Sequence, residues 1–450
     1  MGIALRRSLT QILIVAACAA VSPMADAAHA QTTRSLADAP GSELRALLRI
    51  GGIDDDAWAG LREEGPWADR RQDTLQKILF RMAGLSADDL DRWADDAIDW
   101  KQLVADPANS QGRLFRLEGI VQSIQIIPTS PETARRFQTQ RIYRAQIAVE
   151  RGSRTIVVFA RAVPEAWRRG GTIEQPGGAE AVFLTLQADA DAAAEPTPVF
   201  AAARLASYAD DRLLGRIGMD LGLLDAVLDR RPIRPEEREC FYRLLDAAAR
   251  ADQQELIAAA RRGEAQFAVE PLFNDPASQR GRLAMLSGHV RRALRVRVDD
   301  PDIRRRFGID HYYELYLYTD DSQGNPLVFC VRELPEGMPT GEGPDYIESV
   351  TVPGFFMKSW AYASGQTLAD EIDAQDATKA EPPALQVAPL LIGRAPVWHR
   401  AEESGSSPAW GAIGGGLFVL ILLGLWIWLW RRSKNDRRFT TGVNPSAKVR

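Results

Sequence analysis

The chain lacks the residues and spacings on which most metal and enzyme classes depend. Of its 450 residues only three are cysteine and four histidine. Three cysteines exclude a disulfide-stapled scaffold. His289, His311 and His399 show no ligand spacing to a carboxylate or a cysteine, and His29 falls in the N-terminal leader, so no metal site is expected. There is no Gly-x-Ser-x-Gly elbow, no phosphate-cradling glycine loop, no His-Glu-x-x-His and no calcium loop with its distal glutamate. No catalytic residue and no cofactor is assigned on these grounds, and the reading leans away from an enzyme. No Asn-x-Ser/Thr with a permitted middle residue occurs, which fits a bacterial exported protein.

Net charge is also scarce, at −5 from 55 basic and 60 acidic side chains. That average conceals a division. The first thirty residues carry +1 and the last twenty carry +6, so the body between 31 and 409 holds −12. An acidic body argues against broad binding of nucleic acid.

What is present begins with two ends outside the fold. Arg6 and Arg7, the apolar Ile12–Val21 and the small residues Ala28-His29-Ala30 form a secretory signal pattern. Val15-Ala16-Ala17-Cys18 also matches a lipobox, and the competing reading makes Cys18 an ordinary small residue of the apolar stretch. Near the other end, Trp410–Trp430 has no charge over 21 residues and is followed by Arg431, Arg432, Lys434, Arg437 and Arg438. The pattern predicts a single-pass transmembrane helix, with the tail cytoplasmic and the body outside the inner membrane. Gly411 and Gly415, a small-xxx-small pair, offer a route to a homodimer.

The middle is a tandem repeat. Asp106–Val121 and Asp275–Val290 are identical at nine of sixteen positions at an offset of 169. At 170, Pro131, Arg135, Arg136, Phe137 and Tyr143 meet Pro301, Arg305, Arg306, Phe307 and Tyr313, and Val158-Phe159 meets Val328-Phe329. Upstream, at 166, Leu75, Ile78, Leu79 and Met82 fall on Phe241, Leu244, Leu245 and Ala248. Both sets follow the i, i+3, i+4, i+7 rhythm of a helix face. On this alignment Cys240 and Cys330 correspond to Thr74 and Ala160, so neither belongs to the shared design and two separate buried thiols are expected. Asp54–Asp56 and Ser86 with Asp89 read as helix starts, and the Gly-Gly pairs at 51–52, 170–171 and 177–178 as loop glycines.

Each repeat therefore reads as helical first and β second. Arg113–Gln122 and Arg282–Val298 are first strands interrupted by Gly119 and Gly288. Ser130-Pro131-Glu132 and Asp300-Pro301-Asp302 start a short helix after each. Five strands with a glycine-kinked long first strand resemble a small OB-fold-like barrel, a likeness of fold that covers about half of each copy and rests on no motif. The expected class is α+β: a tandem duplication of a helical segment plus a five-stranded β-barrel, with one C-terminal transmembrane helix. The expected organisation is a signal peptide at 1–30, a helical part at 40–98 and a β-barrel at 99–208 in repeat one, then a helical part at 209–265 and a β-barrel at 266–399 in repeat two. A stalk at 400–409, the membrane helix at 410–430 and a basic tail at 431–450 follow. Gly365–Gln386 reads as a loop.

One surface in repeat two invites a ligand. Tyr312, Tyr316 and Tyr318 alternate with the apolar Tyr313, Leu315 and Leu317, near Arg295 and Arg297. Such tyrosines stack on a sugar, a base or a peptide; the bland alternative is a face covered by the helical half. The function expected is a membrane-anchored extracytoplasmic binding or scaffold protein of the bacterial envelope with a protein or glycan partner. The alternative is an envelope hydrolase or transferase whose carboxylates assemble from distant segments.

Overall fold

A computed structural model describes residues 42–63, 69–188, 195–363, 385–400 and 408–436. The signal-peptide assignment, with Cys18, and most of the 365–386 loop, the stalk and the basic tail lie outside them. Two units are resolved by their contacts, one reaching Val397 and one from Trp398 onward. The first is α+β with two sheets, one in each copy of the repeat.

Helices start where the chain supplies caps. In copy one they are α1 (Ser42–Ile50), α2 (Asp55–Leu61), α3 (Asp69–Met82), α4 (Ala87–Trp93), α5 (Trp100–Ala105) and α6 (Pro107–Ser110). Asp54 accepts the Ala57 amide of α2 at 2.9 Å, and Ser86 accepts the Asp89 amide of α4 at 3.1 Å, so orphan first-turn donors are satisfied. Leu75, Ile78, Leu79 and Met82 of α3 are buried as their spacing requires. The strands follow: β1 (Leu114–Pro128), then α7 (Pro131–Phe137), β2 (Arg141–Val149), β3 (Arg154–Ala162), β4 (Gly171–Gln187) and β5 (Thr197–Arg204).

Copy two repeats this order with α8 (Leu213–Arg216), α9 (Pro235–Arg250), α10 (Gln253–Ala259), α11 (Glu270–Asn274) and α12 (Pro276–Gln279). Its strands are β6 (Leu283–Arg297), β7 (His311–Tyr318), β8 (Leu327–Val331), β9 (Glu348–Ala363) and β10 (Leu385–Gly393), with α13 (Pro301–Phe307) between the first two.

Pairing in each copy runs in a closed circuit. β1 pairs antiparallel with β2 and β4, β2 with β3, β5 with β4, and β3 runs parallel to β5. In copy two β6 pairs with β7 and β9, β7 with β8, β10 with β9, and β8 runs parallel to β10. A bulge lies at the same place in both first strands, between Val121 and Ser123 and between Val290 and Arg292. It adds twist where one long strand bends to serve two neighbours. Two residues before each lies a glycine with no room for a side chain: a Cβ on Gly119 would sit 2.3 Å from the Ala148 carbonyl oxygen, and one on Gly288 2.2 Å from that of Tyr318.

Both faces of the copy-one sheet are buried. Val121, Ile124, Ala145, Ile147, Val158, Phe183 and Phe200 pack together on one face. Ile142, Val157, Phe159, Val182 and Val199 pack on the other against Leu44, Leu48, Trp58, Ile78 and Leu79 of the helices. Each such Val, Leu, Ile or Phe side chain contributes roughly 1.5–3 kcal/mol by leaving water.

Three expectations are corrected. Gly177 and Gly178 are not loop glycines but lie inside β4. A Cβ on Gly178 would meet the Leu117 carbonyl oxygen at 2.4 Å, so they permit the close approach of β1. Strand three is also offset by 171 rather than 170. Tyr143 opposes Ala160 while Tyr313 opposes Val331, so Phe159, not Ala160, corresponds to Cys330. The extra residue sits in the hairpin before β8, and a one-residue slip turns every side chain to the other face.

The third correction concerns the membrane. A helix, α14, does run Pro408–Asp436, but among the described residues no helix is long and apolar enough to cross a membrane. The transmembrane helix at 410–430 and the single-pass inner-membrane placement are set aside on that finding.

Candidate functional site

The tyrosines picked out in copy two face their own helices. Tyr316 is buried, and Tyr312 and Tyr318 pack against the same cluster as Phe241, Leu244 and Leu245 of α9. Tyr312 meets Phe241 edge-on with centroids 5.5 Å apart, Tyr316 meets Tyr362 at 5.9 Å, and Arg292 lies over Tyr316 at 5.1 Å. Burial pushes the hydroxyls of Tyr312 and Tyr316 well above the ordinary tyrosine range. Arg295 and Arg297 are not on this face. They oppose Tyr313 and His311 across the β6–β7 ladder, whereas Tyr312 opposes Val296 and Tyr316 opposes Arg292. Together with Arg304, Asp310 and His311 they border a separate open hollow of about 440 Å³. Strand alternation thus divides the expected group in two.

The other chemically notable residues are quickly placed. Cys240 and Cys330 are free and buried, and burial pushes the Cys240 thiol up to about 12. His311 Nδ1 lies 2.6 Å from the Asp310 carboxylate, and His289 Nδ1 lies 3.1 Å from the Ser349 hydroxyl. Among the described residues no group of three or more His, Cys, Asp or Glu is placed to hold a metal ion.

A site that the sequence did not single out lies in copy one. Helix α3, the end of β1, α7, β2 and β3 enclose a cavity of about 730 Å³. Its lining mixes the apolar Leu75, Ile127, Phe137, Ile142 and Phe159 with the polar Gln76, Arg144, Asp73, Arg136, Thr129 and Ser130. Asp73 is already engaged, accepting from Arg136 at 2.8 Å and pairing with Lys77 at 2.8 Å. Thr129 donates to the Thr139 carbonyl and Ser130 to the Thr133 hydroxyl.

Two polar groups on the wall have no partner among the described residues. Gln76 is only 6% exposed, and its amide reaches the cavity without a hydrogen bond. Arg144, half-buried on β2 between Gln125 and Phe159, has neither a hydrogen bond nor a carboxylate, and desolvation pulls its guanidinium below the ordinary arginine range. Neither head is sealed from solvent, so both are open to meet a ligand.

The same place in copy two is built from different side chains. Tyr312 stands where Ile142 does, Tyr242 where Gln76 does, Glu314 where Arg144 does and Arg238 where Gln72 does, following the offsets of β7 and α9. Tyr312, Phe241 and Tyr242 form a continuous edge-to-face run. Around it Arg238 pairs with Asp300 and Asp302, Arg306 with Asp302 at 2.6 Å and with Glu239, and Arg243 with Glu239 at 2.8 Å. The Arg306 side chain is only 1% exposed. Copy two thus sets aromatic rings and ion pairs where copy one has its cavity.

One signal in the sequence carried this contrast: the differences between the copies rather than their identities. Arg144 against Glu314 and Gln76 against Tyr242 stand on otherwise matching elements. No protein-family model matches the chain, and no curated protein or solved structure matches it.

Proposed function

We propose that the protein is a non-enzymatic binding protein built from two OB-like barrel modules, in which copy one receives a small ligand and copy two serves as its structural mate. The barrel reading is supported by the closed five-strand circuit with a parallel third and fifth strand in each copy. The binding reading is carried by one observation. A cavity of about 730 Å³, within the range of roughly 300–1,000 Å³ usual for ligand sites, has Gln76 and Arg144 on its wall without a partner among the described residues, while aromatic rings and ion pairs stand at the corresponding place in copy two. Binding is favoured over a hydrolase or transferase at this site because Asp73 is tied to two cations rather than poised to move a proton.

The test is a ligand-observed NMR screen of a fragment mixture against the full chain and against Ile142→Tyr, which introduces the copy-two residue. Hits on the native chain that vanish with Ile142→Tyr support the reading. Hits that survive it, or a screen with none, refute it.

A further inference from the structure

Gln76 and Arg144 differ in what they ask of a ligand. Gln76 satisfies either a donor or an acceptor, but a guanidinium has five N–H groups and no acceptor, so Arg144 is answered only by an acceptor and best by an anion. The charges around it sharpen this. Asp73, the nearest lining carboxylate on α3, is held by Arg136 and Lys77, and Glu132 is exposed on the first turn of α7. Among the described residues Arg144 is therefore the lining cation with no counter-charge, set beside Phe159 across the β2–β3 ladder. In copy two its place is taken by Glu314, and no cavity-filling cation is needed there.

Resting on the binding reading above, we propose that the copy-one cavity selects a single-headed organic anion with an apolar body. Arg144 holds the anionic group in a charge-assisted, two-pronged hydrogen bond, and Gln76 holds a second polar atom of the ligand. Leu75, Ile127, Ile142 and Phe159 take the apolar part. A dianion or a polyphosphate does not fit the site, because one uncommitted cation meets it and Glu132 stands nearby. A cationic ligand is repelled by Arg144 and finds Asp73 occupied.

The experiment compares three probes of one length, octanoate, octan-1-ol and octylammonium, by calorimetric titration of the full chain at neutral pH. The chain is used as native protein and as Arg144→Gln, Arg144→Lys and Ile142→Tyr. Since Arg144 has no partner among the described residues, its variants are expected to keep the native melting temperature. Octanoate binds at least about tenfold more tightly than the alcohol, the worth of one hydrogen bond to a charged group. Arg144→Gln removes that advantage, Arg144→Lys keeps part of it, and Ile142→Tyr abolishes all binding. If the alcohol binds as well as octanoate and Arg144→Gln changes nothing while Ile142→Tyr still abolishes binding, the anion selection is overturned and the cavity stands. If Ile142→Tyr leaves binding untouched, the cavity reading falls with it. If none of the three probes binds at millimolar concentration, the anion selection is overturned, and the fragment screen separately decides the cavity.

Discussion

Removing the ammonium of Lys358 is expected to destabilise copy two severely, and removing its partner as well is expected to restore it. Lys358 on β9 and Glu237 on α9 are both completely buried and lie 2.6 Å apart. Glu237 also accepts the amides of Leu228 at 2.7 Å and Arg234 at 3.2 Å. Lys358→Met leaves that carboxylate buried with two amide donors and only the more distant Arg234 guanidinium, at 3.7 Å. Breaking a buried pair from one side costs about 3–5 kcal/mol, which in a module of this size lowers the melting temperature by roughly 6–20 °C. Glu237→Gln combined with Lys358→Met leaves no net charge and returns stability to within about 1 kcal/mol of the native chain. Copy one, with Arg71 and Thr185 at the corresponding positions, already folds without the pair.

The readout is urea and thermal unfolding followed by circular dichroism at several pH values. Burial alone would raise the Glu237 carboxyl, but the Lys358 ammonium and the two amides outweigh it and hold the group below the ordinary glutamate range. Its contribution is therefore fully present above the unfolded value of about 4.3 and is lost as pH falls through the lower folded value. Acid sensitivity in that window is blunted in Glu237→Gln. A single Lys358→Met variant within about 1 kcal/mol of native, or a double variant no better than the single, would refute the reasoning.

Three further outcomes are expected. Gly119→Ala and Gly288→Ala each force a Cβ against a backbone carbonyl and cost about 1–3 kcal/mol in denaturant unfolding; native stability in either would show that the first strand can move aside. Cys240 and Cys330 resist iodoacetamide in the folded chain and react in urea, as read by peptide mass spectrometry; labelling of either thiol before unfolding would contradict its burial. Arg305, which pairs with Asp88 and Asp91 across the two copies at an exposed position, is worth no more than about 1 kcal/mol; a larger loss in Arg305→Ala would make that contact a structural joint.

Much of the fold is legible where local chemistry decides it. The faces of α3 and α9 follow from apolar spacing, the starts of α7 and α13 from Ser130-Pro131 and Asp300-Pro301, and the kinks of β1 and β6 from Gly119 and Gly288. Illegibility sets in where two answers share one pattern. Val157, Val158 and Phe159 are all apolar because both faces of the sheet are buried, so the sequence reads the same in either register and the offset of strand three is misjudged by one. The first half of β4 is hidden by Gly177 and Gly178, which look like a turn but mark a backbone contact. The cavity is hidden differently: Gln76 and Arg144 stand far apart in sequence and are ordinary residues singly. Their meaning comes from what faces them, and the tyrosine face attracted notice only because aromatic residues are conspicuous.

The fifth strand of each module, Thr197–Arg204 and Leu385–Gly393, enters between two strands made before it and is parallel to one of them. As the chain leaves the ribosome, the third and fourth strands each keep an open edge until that segment appears. A module is then not built progressively but latched, its last strand turning a splayed sheet into a ring. The duplication sets two such latches in series, and each must shut before its pair of sticky edges is withdrawn from neighbouring chains.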